Sequence, residues 1–382
     1  MIKYSEMEIA MNRQLVHTPE GVRDIYGDEK EKKSIVERLL QEKIRGYGYR
    51  DIQTPTFEFF DVFSKEVGTT PSRELYKFFD KEGNTLVLRP DFTPSIARCA
   101  AKYFTDEIVP IRLCYQGNTF TNTSSLQGKL KEVTQMGAEL IGDASVYADA
   151  EMIAMMIEAL YHAGLTDFQI SVGNVEFFKG ACEEAGLDEE MEAELRELIS
   201  GKNFFGAEEL LDGINVGEEK KRALTKVSEL FGTVEILEKA REVAVNKRSK
   251  DAIERLEKVY QVLCDYGVEK YVSFDLGMLS KYHYYTGVIF KGYTLGVGDA
   301  IVKGGRYDTL LKHFGKDAPA IGFVVVVDDL LAAMNRQEAV VSGLTQISRL
   351  YYTEQDFEKQ LRCAKQMRAE GKCVELLPKQ NG

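Results

Sequence analysis

Gln135, Gly137 and Glu139 alternate with Met136, Ala138 and Leu140 in a stretch reading QMGAEL. In a strand the first three share one face and the apolar three share the other. An amide and a carboxylate then stand roughly 13 Å apart along the backbone, with a bare glycine between them. Such a pair can converge on a molecule the size of an amino acid lying over Gly137. A solvated outer face is the competing account. Asp91 and Thr93, in LRPDFTPSIAR, fall where a strand hands over to a helix. Their carboxylate and hydroxyl can bind a ligand's ammonium group, or Thr93 can simply cap the helix. Tyr284 and Tyr285 are expected on a strand and so on opposite faces, with one of them entering any one pocket. Gly287 shares the face of Tyr285 and leaves room beside it. Gly304, Gly305 and Arg306 bring backbone amides and a guanidinium to the end of a following strand, for an anion or for a salt bridge.

Much familiar chemistry is missing. No GxxxxGKS/T phosphate loop, HExxH or GxSxG occurs, and Gly296-Val297-Gly298 alone is weak evidence for a nucleotide. Cys99, Cys114, Cys182, Cys264, Cys363 and Cys373 are scattered singly, so neither a zinc site nor a disulfide framework is expected. No metal or cofactor is implied. A net charge of -12 removes the basic surplus that drives binding to phosphate backbones, which makes tRNA an unexpected partner. No apolar run reaches membrane-spanning length and the N-terminus lacks the apolar core of a signal peptide. A cytoplasmic protein with reduced thiols is expected.

The elements that must position these residues follow from periodicity. A helix is predicted over residues 29–45, with Ile35, Leu39, Val36, Leu40 and Ile44 as its apolar stripe. Gly46 and Gly48 stop it, and residues 49–53 read as a strand running into Pro55. Residues 75–79 and 85–88 flank Glu82-Gly83-Asn84 as a hairpin, and Thr93-Pro94 opens a helix through residue 102. Strands are predicted at 111–115 and 132–141, separated by a polar loop over 116–127. A helix over 148–162 buries Ile153, Met156, Ile157 and Leu160, and residues 168–172 form a strand. From residue 176 to 266 the chain turns helical and charged, with Phe204, Phe205, Leu224, Val227 and Leu230 as a small core of its own. That pattern predicts a helical domain inserted between two strands of one sheet. Strand signals return at 288–290, 300–302 and 321–327, and residues 350–377 read as one β-α-β unit too small to bury a core alone.

Taken in order, TPEG at residues 18–21, LRPDFT, QMGAEL, YYTG and GGRYD resemble the catalytic core of histidyl-tRNA synthetase and its relatives. The resemblance runs from residue 16 to 331, and residues 48–55 look like the first class II synthetase motif, which forms the family's dimer interface. The fold it implies is α+β: a class II aminoacyl-tRNA synthetase-like antiparallel sheet flanked by helices. The core would occupy residues 1–175 and 267–335, the helical insertion 176–266, and a small C-terminal β-α-β unit 336–382. By resemblance, Asp91, Thr93, Gln135, Glu139, Tyr284 and Tyr285 form a histidine-binding pocket, with Asp91 one methylene shorter than the family's glutamate.

Three cations of the synthetase reaction are replaced. Phe120 is followed by Thr121, Asn122 and Thr123 where the second motif carries an arginine and a glutamate, Asp329 stands where the third ends in an arginine, and Ser280 where an arginine acts on the activated carboxylate. His283 replaces an acidic residue. Losing one such cation typically costs about 3 to 4 kcal/mol of transition-state stabilisation, so adenylate formation is expected to be lost and no residue is assigned a catalytic role. Only 53 residues follow Asp329, against about 100 in a full anticodon-binding domain.

LRPDFTP, YYTGVIFKGYTLGVGD and GGRYDTLLKHFG are most similar to the synthetase-like regulatory subunits of ATP phosphoribosyltransferase. That resemblance implies a non-catalytic chain of histidine biosynthesis, a self-dimer through the class II core, and a hetero-octamer with a short-form catalytic subunit. Histidine would be its feedback effector. An active histidyl-tRNA synthetase, or a histidine sensor with another partner, are the alternatives.

Overall fold

The computed structural model describes residues 16–63, 70–105, 110–123, 129–201, 203–213, 216–244, 246–279 and 284–379. Ser280 and His283, singled out in the sequence, lie outside the described residues. The described residues divide into two compact units, one built on Val36–Ala339 and the other on Ile25–Ile35 with Val340–Gly382.

Helix α1 (Gly27–Gly46) carries the expected stripe, with Val36, Leu40 and Ile44 buried. Gly48, at φ 83°, supplies the left-handed residue just beyond its end. Strand β1 (Arg50–Asp51) follows, and β2 (Phe57–Phe59), β3 (Lys77–Phe79) and β4 (Thr85–Leu88) make a small antiparallel sheet ordered β2-β4-β3. Helix α2 (Thr93–Tyr103) leads into β5 (Ile111–Phe120) and β6 (Glu132–Ile141). The strand β5 does not stop at residue 115 as expected; it pairs with β6 out to Phe120 and Glu132. Its polar residues find partners there: Asn118 donates to Glu132 at 2.6 Å and accepts from Thr134 at 2.9 Å. Cross-strand pairs of this kind are invisible until the register is known.

Next come α3 (Val146–His162), β7 (Phe168–Asn174), α4 (Val175–Ala185), α5 (Glu189–Ser200), α6 (Phe204–Gly213) and α7 (Glu218–Lys226). The short strand β8 (Phe231–Gly232) precedes α8 (Ile236–Val243), α9 (Lys247–Tyr266), β9 (Val272–Asp275), β10 (Val288–Thr294), β11 (Val302–Arg306), β12 (Ala320–Val326) and α10 (Val327–Arg336). Leu224, Val227 and Leu230 are buried as expected, but Phe204 and Phe205 are exposed; α6 turns Ala207 and Leu211 inward instead. The helical segment belongs to the larger unit: α9 packs on α3, α4 and β7, and β8 pairs with β9.

Nine strands form one sheet in the order β1-β5-β6-β12-β11-β10-β7-β9-β8. Pairing is antiparallel except at β1–β5 and β7–β9. Ile321, Phe323 and Val325 alternate to one face of β12, against which α3 packs. The opposite face carries Gln135, Gly137 and Glu139. In the second unit, β13 (Ile347–Tyr352) and β14 (Cys373–Pro378) pair in parallel around α11 (Phe357–Ala369), the expected β-α-β unit.

Candidate functional site

Residues paired across strands share a face, so register shows what surrounds Glu139. Its partner on β12 is Gly322, which pairs with Gly305 on β11, which pairs with Ile289 on β10. On the neighbouring row Gly137 lies between Tyr115 and Val324. The glycines exist because side chains lie across them. A Cβ on Gly322 would stand 1.6 Å from Glu139 Oε2, and one on Gly305 would stand 2.8 Å from the ring of Tyr285. A Cβ on Gly137 would meet the Tyr115 hydroxyl at 2.5 Å and the Phe323 carbonyl at 2.2 Å. Gly137 was expected to be bare floor for a ligand; it is instead the seat of Tyr115.

Glu139 is 1 % exposed. Thr93 Oγ1 donates to its Oε1 at 2.8 Å and the Tyr307 hydroxyl donates to its Oε2 at 2.6 Å. Burial, with a smaller push from nearby Asp91, raises the carboxyl pKa to about 8 against the opposing pull of the two hydrogen bonds. Thr93 is therefore not a cap. It is the first residue of α2, and its own N–H is held by Asp91 Oδ1 at 3.2 Å. The hydroxyl is left free to reach across to β6.

Tyr284 and Tyr285 precede β10 rather than lying in a strand, so the strand rule that would separate them does not apply. Their rings sit 4.7 Å apart, and Tyr284 meets Tyr307 edge-on at 6.1 Å. Tyr284 packs against the cluster that holds Phe92, Tyr115 and Tyr307, and Tyr285 against the cluster of Val175, Met278 and Ile289. Both belong to the surroundings of Glu139.

Gln135 shares this face and is half-buried. Its Oε1 is buried and has no hydrogen-bond partner among the described residues. A buried acceptor left unmatched costs about 1–3 kcal/mol, which a ligand N–H would offset.

Arg306 stands apart. It neighbours Gly305 in sequence and so points to the helix-covered face. It is 3 % exposed, donates to Asp149 at 2.5 and 2.9 Å, and reaches Asp308 at 3.1 Å. Of its two readings, anion site and salt bridge, the geometry gives the salt bridge. A Cβ on Gly287 would lie 3.3 Å from the Arg306 side chain, yet the glycine also lines open space on that side of the sheet, as expected of it. A cleft of about 450 Å³ on that side is lined by Asn174, Arg248, Asp251, Arg255, Thr286 and Arg306, among others. Arg248 and Arg255 are ion-paired there with Glu176 and Asp149.

The structure thus gathers Asp91, Thr93, Glu139, Tyr284 and Tyr285, with Gln135 on the same face, and adds Tyr115 and Tyr307. Tyr307 was in view within GGRYD; Tyr115 needed the β5–β6 register. A neutral carboxyl, aromatic rings around it and an unmatched amide oxygen suit a flat, weakly basic ring carrying a polar head. The described positions at which the resemblance implies synthetase cations, Thr121 and Asp329, carry no positive charge of their own. Thr121 and Asn122 use their N–H groups on the Lys131 and Glu74 carbonyls. Burial, then Asp299, raises the pKa of Asp329.

Three comparisons bear on this arrangement. The family model described as "Histidyl-tRNA synthetase" matches residues 21–330. An ATP phosphoribosyltransferase regulatory subunit from Ruminiclostridium cellulolyticum is 44% identical over 326 residues, covering 85% of this chain and 78% of that protein. One of the same name from Acetivibrio thermocellus is 41% identical, covering 94% and 86%. A crystal structure from Bacillus halodurans, described as an ATP phosphoribosyltransferase regulatory subunit/histidyl-tRNA synthetase, superposes with TM-score 0.86 at 34% identity, covering 95% of this chain and 93% of that one.

Proposed function

The chain belongs to the histidyl-tRNA synthetase-like family of ATP phosphoribosyltransferase regulatory subunits, and from that premise we propose that it reads free histidine around Glu139 to restrain a catalytic partner. In that family the chain is a regulatory subunit of histidine biosynthesis without catalytic work of its own. The partner in this reading is a short-form catalytic subunit, joined in a hetero-octamer in the cytoplasm. The self-dimer would form through the class II core, at residues 48–55.

The observation that carries the histidine reading is the environment of Glu139. A carboxyl that is neutral near pH 7 can donate to an imidazole nitrogen, or pass it the proton and pair with the imidazolium. Thr93 and Tyr307 fix its orientation, while Tyr284 and Tyr285 supply aromatic walls. Asp91 and Gln135 Oε1 are acceptors for the α-ammonium group. Thr121 and Asp329, at positions where the resemblance implies ATP-holding arginines, carry no positive charge, which disfavours adenylation. Inhibition then follows by linkage: histidine shifts the complex toward a less active arrangement only as far as its affinities for the two arrangements differ.

Isothermal titration of the full chain with L-histidine tests the pocket. Saturable heat in the micromolar to millimolar range is expected, reduced at least tenfold in affinity by Glu139→Ala. A wild-type chain silent to millimolar histidine would sink the assignment.

A further inference from the structure

Two arginines are buried among the described residues, Arg306 at 3 % exposure and Arg89 at 6 %. Arg306 has carboxylate partners in Asp149 and Asp308. Arg89 has none. Its Nε donates to the Asn118 carbonyl at 2.8 Å, and its Nη1 to the carbonyls of Thr54 and Pro55 at 3.0 and 3.2 Å. The guanidinium lies 4.1 Å from the centre of the Phe92 ring. Glu58, the acid whose field reaches it, is tied to Arg98 at 2.7 Å. Burial pulls the pKa of Arg89 below the usual arginine value. A cation taken out of water without a counter-charge is costly, and neutral carbonyls offset only part of that cost.

The remaining nitrogen, Nη2, has no hydrogen-bond partner among the described residues. It lies over Gly117, 2.6 Å from where a Cβ would stand. Gly117 is the register partner of Gln135. An unmatched donor on a buried cation and an unmatched buried acceptor therefore belong to one cross-strand pair, four residues along β6 from Glu139.

We propose that Arg89 Nη2 anchors the carboxylate of the bound amino acid, with Gln135 Oε1 accepting from its ammonium group. The inference rests on the histidine reading above and deepens it. With Thr121, Ser280 and Asp329 where the resemblance implies synthetase cations, the effector's carboxylate needs another positive group. A charge-assisted hydrogen bond in a buried site fits that need.

The test compares L-histidine with L-histidinol, which keeps the ring and the ammonium group and lacks the carboxylate. Titrated into the wild-type full chain, histidine is expected to bind on the order of 10- to 100-fold more tightly. In Arg89→Lys, which keeps a positive charge in the core but loses the planar Nη2 donor, that ratio should fall to within about threefold. Histidinol affinity should be unchanged. Equal binding of the two ligands by the wild-type chain would overturn the role of Arg89 and leave the histidine pocket standing. An undiminished ratio in Arg89→Lys would do the same. Failure of both ligands to bind the wild-type chain would overturn both readings.

Discussion

Glu139 decides most of what the proposed pocket can do, because its proton is still in place near neutral pH. Its pKa is raised from 4.5 to about 8, so the folded chain holds a proton that the unfolded chain releases between those values. A carboxyl with a raised folded pKa contributes stability below its unfolded value and loses it as pH rises through its folded one. The melting temperature of the wild-type chain, relative to Glu139→Gln, should therefore fall between about pH 5 and about pH 8. A difference independent of pH would contradict the raised pKa. The same proton shapes ligand binding. A complex of one carboxyl and one imidazole sharing one proton binds best between the imidazole pKa of about 6.5 and the Glu139 value of about 8. Affinity should fall about tenfold per pH unit beyond either limb, and Glu139→Gln should flatten the alkaline limb. Gly322→Ala tests the seat of the carboxyl. The new methyl would stand 1.6 Å from Oε2, so histidine affinity should drop at least tenfold, at a stability cost of about 1–3 kcal/mol.

At the scale of elements, alternation along β6 and the strand-to-helix handover at α2 were legible, and they brought Gln135, Glu139, Asp91 and Thr93 into one neighbourhood. Roles within that neighbourhood were less so. Thr93 looked like a cap because local sequence offers a hydroxyl at a helix start, while its real acceptor comes from β6, forty-six residues on. The polar residues of β5 read as loop because their partners, Glu132 and Thr134, come from another strand. Tyr284 and Tyr285 were assigned opposite faces by a strand that begins only at Val288. Arg306 carried two equal readings until α3 placed Asp149 against it. That pair predicts a purely structural effect: Asp149→Ala leaves a guanidinium 3 % exposed without its main counter-charge and should cost about 3–5 kcal/mol. Denaturant melts would measure the loss. Histidine affinity, read from the opposite face of the sheet, should stay within about threefold at temperatures where the variant is folded.

For the whole molecule, the proposal is of a synthetase-like sheet that keeps an amino-acid pocket around Glu139, while Thr121 and Asp329 stand where the resemblance implies adenylation cations. The C-terminal strand pair around α11 buries little, Ala364 being the buried residue of that helix. With a net charge of -12, no shift of tRNA is expected in gels at physiological salt, and histidine-dependent exchange of pyrophosphate into ATP should be absent. The most direct test is reconstitution with the short-form catalytic subunit, following formation of phosphoribosyl-ATP with and without histidine. The account predicts that this chain raises the partner's activity, that histidine suppresses it, and that Glu139→Gln preserves activation while raising the histidine needed for half-inhibition at least tenfold. Activity indifferent to the chain, or inhibition unchanged in Glu139→Gln, would contradict it.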